Sequence, residues 1–218
     1  MIGKKIVMAA TGVVLIGFVI AHMVGNLKMF ANPSEINAYS RFLREVGSPA
    51  LSYGELLWIV RIVLLICVSL HITAAVQLTR MNWAARPVNY SVKRDIETTW
   101  AAHLMRWSGL LLIVFIIFHL LHLTRGVVGF KAGQFTHLAV YQNVLAAFSV
   151  WPISVFYIVA MAALCLHLSH GIWSMLQTLG WGTAQNEPTL RIVSRVLAVV
   201  VFLGFSSIPV AVMAGWLH

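Results

Sequence analysis

Five stretches of this chain are too long and too apolar to rest anywhere but in a bilayer. They cover residues about 6–27, 56–79, 104–124, 153–176 and 192–216, and each reaches the roughly 20 residues a helix needs to cross the hydrocarbon. Lipid offers backbone N–H and C=O groups no partner, so the spans must be helices that satisfy themselves. The composition agrees: only 10% of the 218 residues are charged, against about 25% in a soluble domain. The expected fold is an all-α integral membrane protein with five transmembrane helices in a single membrane domain over residues 1–218.

The first span follows Lys4 and Lys5. At about 22 residues it is too long for a signal-peptide core and lacks a cleavage site, so it reads as a mature span. Five crossings put the two ends on opposite sides. Lys4, Lys5, Arg80, Arg86, Lys93, Arg94 and Arg191 fall on the side of the N-terminus. Lys28, Arg41, Arg44, Arg125 and Lys131 fall on the other, while Arg106 and Arg195, at the starts of spans, add to the first. That bias places the N-terminus in the cytoplasm. The net charge of +9 then gathers at a cytoplasmic face, suited to anionic lipid headgroups or to docking a soluble partner.

No connection exceeds about 30 residues, which leaves no room for a soluble catalytic domain, and the chain has no phosphate-cradling or dinucleotide motif. Residues 34–46 read as a short outer surface helix, opened by Pro33 and Ser34 and closed by Gly47. Its expected apolar face is Ile36, Tyr39, Phe42, Leu43 and Val46, and residues 137–149 read the same way. Cys67 and Cys165 both lie inside spans and neither belongs to a C-x-x-C-H attachment site, so a haem here would be held non-covalently.

The histidines carry the chemistry. His22, His71, His119, His167 and His170 lie well inside spans, with His122 toward the end of the third and His103 just before it. At 1.5 Å per residue, His22 and His119 lie roughly 24 and 22 Å from the cytoplasmic ends of their parallel helices. His71 and His167 lie roughly 20 Å from the outer ends of the two helices that run back. Four helices thus supply one imidazole each, paired at an outer and an inner level. Two b-type haems, each held by two axial imidazoles, need this arrangement. A structural zinc site wants four close ligands at one level. A proton relay normally includes carboxylates, yet none lies within a span; Glu55 stands at the edge of the second.

A second pattern repeats on the first and third spans. Thr11-Gly12 precedes His22 by the same spacing as Ser108-Gly109 precedes His119. That spacing is a drop of about 15 Å along the helix, which brings the two glycines near the inner level, where they leave room for a macrocycle. Small residues also serve ordinary helix packing.

The stretches AHMVGN around His22, SLHITAAV around His71, RWSGLLLIVFIIFH from Arg106 to His119, and HLSHGIWS from His167 to Ser174 resemble a known family. It is the single-chain, dihaem cytochrome b membrane anchor of succinate:quinone oxidoreductases, the succinate dehydrogenases and fumarate reductases. The resemblance extends over essentially the whole length. It implies His119 rather than His122 as the third ligand, from the spacing to Arg106 and Gly109. It implies His167 rather than His170 as the fourth, from the H-x-S-x-G-x-W-S motif. The first four spans would then form a bundle around two stacked haems b, with His22/His119 on the outer iron and His71/His167 on the inner. His122 and His170 depart from the pattern, and the embedded glutamate of some dihaem fumarate reductases has no counterpart in a span.

The resemblance further implies a function in complex II of the tricarboxylic acid cycle, in a bacterial cytoplasmic membrane. A flavoprotein subunit would oxidise succinate, and an iron–sulfur subunit at the cytoplasmic face would pass electrons to this chain and on to menaquinone. Partners would be those two subunits, quinone and lipid, with no nucleic acid and no catalytic residue on this chain. Polar groups at the outer depth that suit a quinone are Asn26, Lys28, Glu55, Trp58, Arg61, His122 and Arg125; those suited to inner haem propionates are His103, Arg106, Gln177 and Arg195. Two rivals stand beside this reading. Quinol-oxidising dihaem anchors of fumarate reductase or other respiratory oxidoreductases are one, although those of nitrate reductase, formate dehydrogenase or hydrogenase usually cluster ligands on fewer helices. A non-redox transporter, its histidines lining a path, is the other, and would show no haem spectrum.

Overall fold

The computed structural model describes residues 2–85 and 100–218, with side chains from residue 104 onward in the second stretch. Arg86, Lys93 and Arg94 of the cytoplasmic charge argument, and the His103 side chain, lie outside the described residues. The described residues form helices α1 (Ile2–Asn26), α2 (Pro33–Glu45), α3 (Glu55–Ala84), α4 (Trp100–His119), α5 (Val140–Phe148), α6 (Trp151–Thr178) and α7 (Glu187–Met213). A 3₁₀ turn, Leu27–Phe30, prolongs α1, and a π turn, Leu120–Thr124, prolongs α4.

Five helices are long and apolar enough to cross a membrane: α1, α3, α4, α6 and α7, the first and third with their extensions. The chain is an all-α, multi-pass membrane protein. Most helix ends lie beyond the apolar runs because they are stabilised locally. α7 starts at Glu187 rather than near 192, with Pro188 in its first turn and Arg191 Nη2 2.7 Å from Glu187 Oε1 one turn on. It stops at Met213, short of 216, with Gly215 at φ +72° just beyond. The Asn32 side chain caps α2 by accepting the Glu35 N–H at 2.9 Å. α2 buries Ile36 and Ser40, while Phe42 of its expected apolar face is 57% exposed on the protein and free to meet lipid.

α6 forms the centre, packed on α7, α4 and α1, and α1 also packs on α3. Fully buried Ala160 on α6 and Ala198 on α7 allow the close approach typical of membrane helices. Neither α1 with α4 nor α3 with α6 is a closely packed pair among the described residues. Those partners face each other diagonally across the interior, while Ile62, Leu65 and Ile66 of α3 point outward.

The end of the bundle at which α1 finishes is capped by α2 and α5, which are stitched together. Asn37 Oδ1 accepts the Tyr141 N–H at 3.1 Å, and Asn37 Nδ2 donates to Gln142 Oε1 at 3.4 Å. The Tyr141 hydroxyl donates to the backbone carbonyl of His218 at 3.4 Å.

Candidate functional site

The four intramembrane imidazoles meet in two pairs across the diagonals. His22 of α1 faces His119 of α4 with ring centres 5.9 Å apart. His71 of α3 faces His167 of α6 with ring centres 6.5 Å apart. Two imidazoles bound end-on to opposite poles of one metal ion, with bonds of about 2 Å, hold their ring centres about 6 Å apart. Both pairs fit that requirement. Among the described residues no cluster of three or more His, Cys, Asp or Glu is close enough to hold a metal ion, so each pair stands alone.

At the inner pair the repeated small residues have a defined task. Thr11 Oγ1 lies 3.1 Å from His71 Nδ1 and donates its own proton to the Val7 carbonyl at 2.7 Å. Ser108 Oγ lies 3.3 Å from His167 Nδ1 and donates to the Met105 carbonyl at 3.1 Å. A hydroxyl has one proton. With that proton committed to a helix carbonyl, each oxygen must accept, so each imidazole carries its proton on Nδ1 and leaves Nε2 bare. This is the tautomer a metal-ligating histidine needs, fixed by its outer hydrogen bond. The glycines flank the same rings. A Cβ on Gly12 would lie 3.8 Å from His71 Cε1 and from Met175 Sδ, and one on Gly109 would lie 3.7 Å from His167 Cε1. Alanine would be tolerated at either position, while any longer side chain would press on the imidazole.

At the outer pair the support is aromatic. Phe18 stacks on His22 at 5.3 Å and Phe115 on His119 at 5.6 Å, each one helical turn before its histidine. Phe205 of α7 approaches His22 at 5.8 Å, so the fifth span contributes to the site as well. Tyr157 of α6 brings its hydroxyl within 3.3 Å of His119 Nδ1. Nothing in the sequence sets these aromatic residues apart from others in apolar helices. Tyr157 stands ten residues before His167, the same interval that separates Gly12 from His22 and links the two levels on one helix.

The other expected site residues divide. Asn26 Nδ2 lies 3.5 Å from His22 Nε2 and belongs to the outer cluster. Lys28 instead pairs with Glu35 at 3.5 Å, and Glu55 accepts the Ser52 N–H at 2.8 Å. Arg61 lies over the Trp58 ring at 5.0 Å, with Trp58 59% exposed, and Arg125 is exposed. Arg106 lies over Trp83 at 5.7 Å, and Arg195 is exposed. Gln177 lines a cleft with Lys5, Trp173 and Thr178. His170 meets the Trp173 ring at 5.5 Å. His122 requires a correction. Its expected place at the outer surface gives way to complete burial, because the loop after the π turn folds Gly129 and Phe130 onto it.

No curated protein and no solved structure matches this chain. A family model does match residues 85–206, more than half of the 218, including α4 with His119 and α6 with His167. By that match the chain belongs to the family of succinate dehydrogenase/fumarate reductase transmembrane subunits.

Proposed function

We propose that the chain is the dihaem cytochrome b anchor of a succinate dehydrogenase, handing electrons from an iron–sulfur subunit to menaquinone. The single observation behind this reading is the pair of facing imidazole couples, 5.9 and 6.5 Å between ring centres, at two levels of one helical bundle. His22 and His119 would hold the outer haem b, and His71 and His167 the inner one. When bound, these groups supply one-electron carriers at two depths of the bilayer.

The chain's own residues do the rest. Thr11 and Ser108 keep His71 and His167 in the ligating tautomer, and Gly12 and Gly109 keep side chains away from the ring faces. Apolar helices exclude water from both levels, so exposed charge does not dictate the potentials. Asn26, beside His22 at the end of α1, is the polar group best placed to hydrogen-bond a quinone carbonyl at the outer level. A basic inner face, carrying Lys4, Lys5, Arg80 and Arg191, suits the docking of an iron–sulfur subunit with its flavoprotein partner in the cytoplasm of a bacterium.

A reduced-minus-oxidised spectrum with a pyridine haemochrome assay on the purified chain tests the reading. Two low-spin b haems per chain, with distinct potentials, are expected, and flavin and iron–sulfur subunits should co-purify in mild detergent. One haem or none overturns the pairing. Two haems without either soluble subunit would point away from succinate.

A further inference from the structure

The Tyr157 hydroxyl touches two imidazoles, and only one of them belongs to a haem pair. His119 Nδ1 lies 3.3 Å away and His122 Nδ1 3.0 Å away. His122 is 0% exposed and its Nε2 has no hydrogen-bond partner among the described residues. The π turn Leu120–Thr124 begins directly after His119 and contains His122; such turns recur at functional sites. Gly129, at φ +76°, seals the ring: a Cβ there would lie 2.7 Å from His122 Cδ2 and 2.8 Å from Nε2. Phe118 and Phe130 close its faces at 5.1 and 4.8 Å.

From this geometry we infer that Tyr157 and His122 form a dry hydrogen-bond chain that positions His119 and sets the potential of the outer haem. The inference rests on the haem reading above. If His119 gives Nε2 to iron, its Nδ1 must carry a proton, and the nearest acceptor is the Tyr157 oxygen. The phenol has one proton of its own, and among the described residues the other polar group against it is His122 Nδ1, which must accept. His122 therefore carries its remaining proton on Nε2, the atom without a partner. Burying that N–H unpaired is unfavourable, and the chain tolerates it with glycine and phenylalanine packed around the ring. The burial keeps water off the phenol, so its lone pair stays aimed at His119. A histidine whose second nitrogen donates to an oxygen is a more basic ligand, which favours the oxidised iron. Tyr157 is thus a positioning residue acting through His119, and His122 acts through Tyr157.

Redox titration and electron paramagnetic resonance of the purified complex test this, with Tyr157→Phe, His122→Leu and the double variant. Tyr157→Phe should keep two haems per chain and move the outer redox equilibrium several-fold toward the reduced form, tenfold being about 59 mV for one electron. The low-spin ferric signal of the outer haem should shift with it, and the inner haem should not move. His122→Leu should move the outer haem in the same direction by less, and the double variant should go no further than Tyr157→Phe alone. An unchanged outer potential and signal in Tyr157→Phe with both haems present overturns the inference and leaves the haem reading standing. Additive shifts in the double variant also overturn it. If Tyr157→Phe loses the outer haem, His122→Leu decides, a shift supporting the chain and an unmoved potential refuting it. Absence of an outer haem from the unmodified protein sinks both readings together.

Discussion

Thr11→Val is the sharpest test of how the inner level is built, because it removes one oxygen and almost no volume. In the native chain that oxygen accepts from His71 Nδ1 at 3.1 Å, and Thr11 is only 7% exposed, so water does not replace it. The Val7 carbonyl, which loses the hydroxyl, lies within α1 and keeps its helical environment. The loss therefore falls on the half-buried imidazole, whose N–H is left with the Met8 carbonyl alone, at a cost of up to about 1–3 kcal/mol. At about 1.4 kcal/mol per tenfold, that corresponds to roughly five- to a hundredfold weaker haem retention, close to the range seen when a ligating histidine loses its outer partner. Haem transfer to excess apomyoglobin, followed at the Soret band, reads this directly. The inner haem should leave faster by that factor while the outer haem leaves at its native rate. Native retention of both would mean that the hydroxyl does nothing for His71, and the tautomer argument would fail for Ser108 too.

Other substitutions probe the pairs and their surroundings. His22→Ala or His119→Ala should each abolish the outer haem and spare the inner one, and His71→Ala or His167→Ala should do the reverse, as read by haemochrome stoichiometry and spectrum. Gly109→Leu should exclude the inner haem, since even a Cβ reaches within 3.7 Å of His167 Cε1; Gly109→Ala should retain it. Gly129→Ala should lower the melting temperature in detergent, combining a left-handed backbone that costs a non-glycine residue about 1–2 kcal/mol with the contact at 2.7 Å on His122. Asn26→Leu should slow quinone turnover several-fold while both haems remain, measured as succinate-dependent reduction of a soluble quinone analogue.

The spans and the two levels could be read from the chain because membrane helices obey a simple ruler. Length alone locates them, and a fixed rise per residue turns histidine positions into depths. The same ruler placed Gly12 and Gly109 beside the inner rings, where the structure finds them. It left lateral contacts open. Tyr157 looked like one more aromatic residue in an apolar helix, and only the packing of α4 on α6 brings its hydroxyl to His119. His122 looked interfacial because sequence distance measures height along a helix and says nothing of a loop folding back over it. In the sequence Thr11 and Ser108 are simply small residues; where their hydroxyl protons go depends on distances to Nδ1 that spacing does not supply. Lys28, Glu55 and Arg61 shared the right depth with Asn26, but each is engaged with a neighbour near it in sequence.

The outer cap determines how a lipid-soluble reactant would arrive. Asn37 ties α2 to the start of α5, and Tyr141 ties α5 to the backbone of His218. This lays two helices and residues 214–218 across one end of the bundle. Under the proposed function, a quinone destined for the level of His22 and His119 would enter sideways, between helices, straight from the acyl chains in which it is dissolved. Its encounter rate follows two-dimensional diffusion within the leaflet, and saturation is set by mole fraction in the lipid. Diluting the same amount of quinone into more phospholipid should slow turnover, while diluting the vesicles with buffer should leave it unchanged.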